Sequence, residues 1–180
     1  MSNAAALNSF LARVEQRAFR MARYAVSDVD EALDIVQDAM LTLARKYAAK
    51  PEAEWPPLFF RILRNRITDF HRRRAVRNRI FGLFAPRRDD DDDSNPIDQI
   101  SDGRNVEPDY RTQLNVATQR LEGAVAALPT RQREAFLLRA WEGLDVAATA
   151  RAMRCSEGSV KTHYSRAVHT LRERLEDDWP

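Results

Sequence analysis

Residues 145–172, DVAATARAMRCSEGSVKTHYSRAVHTLR, hold the side chains of this chain best suited to touching a nucleic acid. They read as a short helix, a turn and a second helix with a polar and basic outer face. That is the layout of a helix-turn-helix, whose second helix enters a DNA major groove. At 100° per residue, Val160, Tyr164, Ala167, Val168 and Leu171 fall on one side of the second helix, and Gly158, Ser159, Thr162, Ser165, Arg166 and His169 on the other. Lys161 and His163 lie on the flanks. Small residues let a backbone approach the groove, and Lys or Arg can reach guanine edges or phosphates. Ser156 stands at the start of the helix, where free amides can meet a phosphate. The candidate duplex-reading set is therefore Ser156, Ser159, Lys161, Thr162, His163, Ser165 and Arg166. The competing reading is an ordinary amphipathic helix with a solvated face.

A second concentration of chemistry lies at 61–79. Arg61, Arg64, Arg66, Arg72, Arg73, Arg74, Arg77 and Arg79 are opposed there only by Asp69. Arg61, Arg64, Asn65, Thr68 and Arg72 share the face opposite Phe59, Leu63 and Phe70. Guanidinium groups fork onto phosphates, an Asn can read a base edge, and aromatics such as Phe60 and Phe81 could stack on unpaired bases. A generic basic tract without base selection is the alternative.

Those residues need elements to hold them. Leu7, Phe10, Leu11, Val14, Ala18, Met21, Ala22 and Ala25 recur at helical spacing. Ser27 is the expected cap of a second helix carrying Leu33, Val36, Ala39, Met40, Leu43, Ala44 and Tyr47. A third helix is expected from Pro57, an N1-type position, followed by a loop at 75–83. Beyond the connector, Leu114 to Leu128 form one helix and Pro129-Thr130 start another. Gly143 ends that one, and Asp145 and Ser156 cap the last two. Arg154 occupies the turn between them, where a left-handed backbone would cost an L residue roughly 1 kcal/mol. Cys155 reads as an apolar plug in the same turn.

The 180 residues suit one ordinary domain or two small ones. The net charge of +2 conceals segregation: 15 Lys/Arg against 9 Asp/Glu over 1–84, 3 against 9 over 85–110, and 11 against 9 over 111–180. Residues 85–110, with five consecutive Asp at 89–93, read as a flexible acidic linker able to extend to roughly 85 Å. The acid run could solubilise the chain, fold back on the arginines at 72–79, or mimic a nucleic-acid strand. The fold expected is all-α: two small helical domains, 1–84 and 111–180, joined by that linker. A single cysteine permits no internal disulfide. No apolar run reaches membrane-spanning length, no signal-peptide pattern opens the chain, and a cytoplasmic location is the expectation. No nucleophile-base pair, metal-ligand cluster or Gly-rich phosphate loop is present, so no enzymatic activity, metal or cofactor is expected.

Two basic helical modules flanking an acidic linker resemble the extracytoplasmic-function (ECF) sigma factors of the sigma-70 family, over nearly the whole chain. Residues 32–38, ALDIVQD, resemble the region 2 helix that grips RNA polymerase. FFRILRN at 59–65, with Asp69 and Arg72 to Arg74, resembles the segment that melts and reads the −10 element. Leu128-Pro129, Arg133-Glu134 and GSVKT at 158–162 resemble region 4, which reads the −35 element. The resemblance implies a promoter-specific initiation factor with core RNA polymerase and promoter DNA as partners, and an anti-sigma factor as a further one. It places the core contact on Asp34, Gln37 and Asp38. It places −10 contacts on Phe60, Arg61, Arg64, Asn65, Asp69, Arg72, Arg73 and Arg74, with the loop at 75–83 walling a pocket for a flipped base. The helix-turn-helix set becomes the −35 reader. Leu33, Leu58, Ala148-Thr149, Arg154 and His163 depart from the family's usual residues. The alternative is a stand-alone helix-turn-helix regulator, which would have no need of the arginine-rich third helix with Asn65.

Overall fold

The computed structural model describes residues 3–26, 28–81 and 116–175. The connector at 85–110, with its acid run, lies outside the described residues. Helix α1 (Asn3–Ala25) buries Leu7, Phe10, Leu11, Val14, Ala18 and Ala22, the 3-4 spacing that puts one stripe inward. Helix α2 (Val29–Tyr47) buries Ala32, Ile35, Val36, Ala39 and Leu43. Its cap is Asp28 rather than Ser27. Asp28 has the extended backbone a cap requires (φ −83°, ψ 132°), and its carboxylate accepts the Glu31 N–H at 3.0 Å. Asp30 and Glu31 in the first turn, and Arg45 and Lys46 in the last, suit the helix dipole.

A 3-10 turn (Glu52–Glu54) leads into α3 (Trp55–Phe81), which has 27 residues. The helix starts two residues before the expected Pro57. Pro56 and Pro57 both fall in the first turn, where a missing N–H leaves no intrahelical bond unmade. The loop expected at 75–83 is instead helical through Phe81, because no Gly or Pro interrupts the chain before Gly82. Trp55, which the hydrophobic periodicity did not single out, is fully buried. Its indole N–H donates to the Tyr47 carbonyl at 3.1 Å and ties the end of α2 to the start of α3. Phe10 packs against both Trp55 and Phe59, with ring centroids 6.0 Å apart in each pair.

The second block begins with α4 (Val116–Ala126). Helix α5 (Thr130–Phe136) follows Pro129 and continues as a wider π turn (Leu137–Trp141) that stops at Gly143, where φ is +66°. Helix α6 (Val146–Met153) is capped by Asp145, whose carboxylate accepts the Ala148 N–H at 2.6 Å. Helix α7 (Glu157–Arg174) is capped by Ser156, whose hydroxyl accepts the Ser159 N–H at 3.1 Å. Between them Arg154 is left-handed (φ 52°, ψ 52°). Thr149 is buried but satisfied, its hydroxyl donating to the Asp145 carbonyl at 2.8 Å. Val125, Leu128, Phe136, Leu137, Ala167, Leu171 and Leu175 form one apolar cluster of this block.

The two blocks do not stand apart. Helix α6 packs on α3, and Ala135, Leu138, Leu144, Ala148, Ala150, Ala152, Met153 and Val160 join the apolar cluster of α1, α2 and α3. The alanines of α6 allow the close approach, and Met153 fills the remaining space at 0% exposure. Among the described residues, no helix is long and apolar enough to cross a membrane.

Candidate nucleic-acid interface

Helix α7 is oriented from behind by packing. Val160, Ala167 and Leu171 are fully buried, Phe136 stacks on Tyr164 with centroids 6.4 Å apart, and the Arg139 guanidinium lies 5.8 Å over the Tyr164 ring. That contact leaves the opposite stripe outward. Lys161, Thr162, Ser165 and Arg166 are exposed, while Ser159 and His163 are half-buried. The face predicted from periodicity is therefore present as a surface. Two of its hydroxyls already have local work. Ser156 caps the helix and contacts the Ser159 hydroxyl at 2.9 Å, and the Thr162 hydroxyl donates to the Gly158 carbonyl at 3.0 Å. Lys161, Ser165 and Arg166 are further exposed cationic and polar side chains of this face.

The expected single-strand set divides along α3. Asp69, Arg72, Arg73 and Arg74 lie on an exposed stretch, with Arg73 Nε donating to the Asp69 carbonyl at 3.3 Å. Arg61 and Asn65 are half-buried, and Phe60 is only 3% exposed. Arg64 turns toward the second block, where its Nε lies 3.2 and 3.3 Å from the two carboxylate oxygens of Glu134, 70 residues away. The central arginine is thus paired with the second block, and Phe60 is buried, packed edge-on against Phe59 with centroids 5.2 Å apart. Asp34, Gln37 and Asp38 are all exposed on α2. Beside them Val29, Leu33 and Leu41 are also exposed, at 49%, 41% and 49%, so that helix presents an apolar-and-acidic surface, and Leu33, expected in the apolar stripe of α2, lies outside it.

Glu134 belongs to the Arg133-Glu134 pair of the region 4 resemblance. Burial pushes its carboxyl above the usual carboxylate range, and Arg64, Arg131 and Arg133 pull it back in part. Arg131 approaches it at 3.6 Å and also donates to the Met153 carbonyl at 3.1 Å, which links the pair to the end of α6. A second charged contact joins the blocks. Glu142 Oε1 lies 3.0 Å from Arg17 Nε, close enough for an ion pair but outside hydrogen-bonding geometry, and burial raises its carboxyl as well. Tyr24 meets Trp141 at 6.3 Å between centroids, with the Arg133 guanidinium 5.9 Å over its ring. Between the blocks is a cleft of about 60 Å³ lined by Tyr24, Phe60, Arg64, His71, Glu134 and Leu137 among others. Its size suits a few waters, not an organic ligand. Among the described residues no group of His, Cys, Asp and Glu could hold a metal ion. Burial also raises the Cys155 thiol, in keeping with a packing role.

A family model described as Sigma-70 region 2 matches residues 10–77, and one described as Sigma-70, region 4 matches residues 118–171. The RNA polymerase sigma-E factor of Streptomyces antibioticus is 32% identical over 151 residues, covering 84% of this chain and 74% of that protein. The ECF RNA polymerase sigma factor BldN of Streptomyces coelicolor is 39% identical over 82 residues, 44% of this chain, and the chain spans only 31% of that relative's length. Among solved structures, the sigma factor RpoE of Bartonella quintana, in complex with the anti-sigma factor NepR, is similar at a TM-score of 0.65 and 25% identity. That match covers 96% of this chain and 98% of RpoE.

Proposed function

Because this chain belongs to the ECF group of the sigma-70 family, we propose that it binds core RNA polymerase, directs it to specific promoters and helps melt the −10 element. The observation that carries this reading is the outward stripe of α7 around Lys161, Thr162, Ser165 and Arg166, held on a chain whose α3 also exposes Arg72, Arg73 and Arg74. The two basic surfaces suit two DNA segments. A groove-facing helix reads duplex through base edges and phosphates. An arginine-rich helix suits the phosphates of a separated strand, and Asn65 and Phe60 could select and stack a base there. Turning a base out costs a few kcal/mol, which specific contacts must offset.

Asp34, Gln37 and Asp38, flanked by Leu33 and Leu41, form the surface assigned to the coiled coil of the largest polymerase subunit. Apolar contact would supply affinity there and the acids would set register. An anti-sigma factor is a further expected partner, as it is for RpoE, and the site of action is the cytoplasm. The chain would lend specificity to the polymerase and perform no chemistry itself. Run-off transcription with purified core enzyme tests the role. The wild-type chain should start transcripts from its promoter. Replacing Lys161, Thr162, Ser165 and Arg166 together by Ala should abolish most initiation while core binding survives. A stand-alone regulator would bind DNA yet start no transcript on core enzyme, and loss of core binding in the α7 variant would overturn the assignment of that helix to DNA.

A further inference from the structure

Helix α7 is aimed by groups packed on its rear, and one of them is charged. Tyr164 lies on that rear face, half-buried, and packs against both apolar clusters of the protein. Its ring stacks on Phe136 with the planes 16° apart, and the Arg139 guanidinium stands 5.8 Å from the ring centre. Arg139 also donates from Nη1 to the carbonyl of Leu144, the residue before the Asp145 cap of α6. One side chain therefore touches the start of the scaffold helix and the middle of the recognition helix. We propose that Arg139 is a positioning residue for duplex reading: through Tyr164 and Leu144 it fixes the angle at which α7 is presented to the groove, and it touches no DNA itself. The inference rests on the reading of α7 as the −35 reader and names the residue that holds that reader in line.

Three observations support a brace. First, the two helices are joined covalently only at one corner, the turn at Arg154 and Cys155. Arg139 joins them again at a distance from that corner, between the front of α6 and a residue about two turns into α7. Two separate ties fix an angle where one leaves a hinge. Second, Arg139 sits in the π turn Leu137–Trp141, where the Glu142 N–H reaches back to the Leu137 carbonyl at 3.1 Å. Widened turns of this kind recur at functional sites. Leu137 and Leu138 are both buried there, and the next residue is the arginine that meets Tyr164. Third, the guanidinium is committed to a ring face and a carbonyl and is half-buried, whereas Lys161 and Arg166 are exposed. A cation over a ring gains strength as it loses water. The consequence falls on sequence choice. Hydrogen bonds to base edges weaken steeply as they bend, while attraction to phosphates is long-ranged and tolerant of angle. A loosened brace blurs recognition before it weakens binding.

The test uses the full chain bound to core RNA polymerase. The holoenzyme selects from a pool of fully randomised duplexes, and the bound sequences are read. Wild type should enrich an upstream and a downstream box. Arg139→Ala should lower the upstream preference about tenfold, leave the downstream box unchanged, and keep affinity for the random pool within about twofold. Its salt slope should match wild type, where loss of a phosphate contact would reduce the slope by about 0.9. Tyr164→Leu should copy Arg139→Ala, and Tyr164→Phe, which keeps the ring, should behave as wild type. The Arg139→Ala and Tyr164→Leu changes together should add no more than about twofold, because both break one brace. An unchanged upstream preference overturns the inference. A reduced salt slope does so too, by making Arg139 a phosphate contact. Equal fading of both boxes also overturns it, by assigning the loss to the fold at large. If circular dichroism shows Arg139→Ala unfolded, the Tyr164 pair decides, and equal behaviour of Leu and Phe rejects the brace. If wild type enriches no upstream box, the reading of α7 fails instead.

Discussion

Arg154 connects the scaffold helix α6 to α7 with a left-handed backbone, φ 52° and ψ 52°, and is the only non-glycine described residue with positive φ. The turn is closed by hydrogen bonds from the Arg154 and Cys155 N–H groups to the Ala150 carbonyl, the latter at 3.2 Å. An L residue there holds its Cβ against the following carbonyl, at a cost of roughly 1–2 kcal/mol. Glycine escapes that cost but adds about 0.4–1 kcal/mol of chain entropy to the unfolded state. Arg154→Gly should therefore stabilise the protein by about 0.5–1 kcal/mol. The Arg154 side chain is exposed, so losing it matters little, and Arg154→Ala keeps the Cβ and should stay within about 0.5 kcal/mol of wild type. At roughly 2–4 °C per kcal/mol for a chain of this size, the glycine variant should melt about 2 °C higher. Scanning calorimetry on the three proteins in one buffer provides the comparison. If Ala raises Tm as much as Gly, the gain comes from losing the side chain and not from backbone strain. If Gly lowers Tm, left-handed strain is not the dominant cost at this turn.

Other consequences can be measured alongside. Ser156→Ala should lose about 1 kcal/mol with the cap to Ser159, whereas Ser156→Asp should keep that stability yet weaken duplex binding by placing a negative charge beside phosphate. Equal duplex affinity for the Asp and Ala variants would show that Ser156 lies outside the DNA contact. Trp55→Ala should cost about 3–5 kcal/mol in urea unfolding, because the indole is fully buried and bonded to Tyr47. A loss under 1 kcal/mol would mean that α2 and α3 are joined elsewhere. Burial raises the Tyr24 phenol to about 12, against an ordinary value near 10. The unfolded phenol ionises first, so stability intact below pH 10 should fall as pH rises from about 10 to about 12. Urea melts of wild type and Tyr24→Phe at pH 9 and pH 11 check this. The same fall in both proteins would assign it to other groups.

What could be read from the sequence alone is what is encoded within about four residues. The inward stripes of α1, α2 and α7, the caps at Asp145 and Ser156, and the outward Lys161, Thr162, Ser165 and Arg166 all follow from helical periodicity and short-range hydrogen bonding. The family resemblance was legible for the same reason, because its motifs are local runs of residues. Even local reading slipped where neighbouring residues were chemically equivalent, as with Ser27 and Asp28 for the α2 cap. It slipped again where no breaker marked an end, as in the extension of α3 to Phe81. The docking of α6 on α3 was decided only in three dimensions. No local pattern says that Arg64 will meet Glu134 across 70 residues, or that Phe60 will line one cleft with Thr130 and Leu137. Periodicity shows which faces are apolar but not which faces meet. That choice depends on shape, on the small alanines of α6 and on charges brought together by packing, and it determines which basic side chains are open and which are covered.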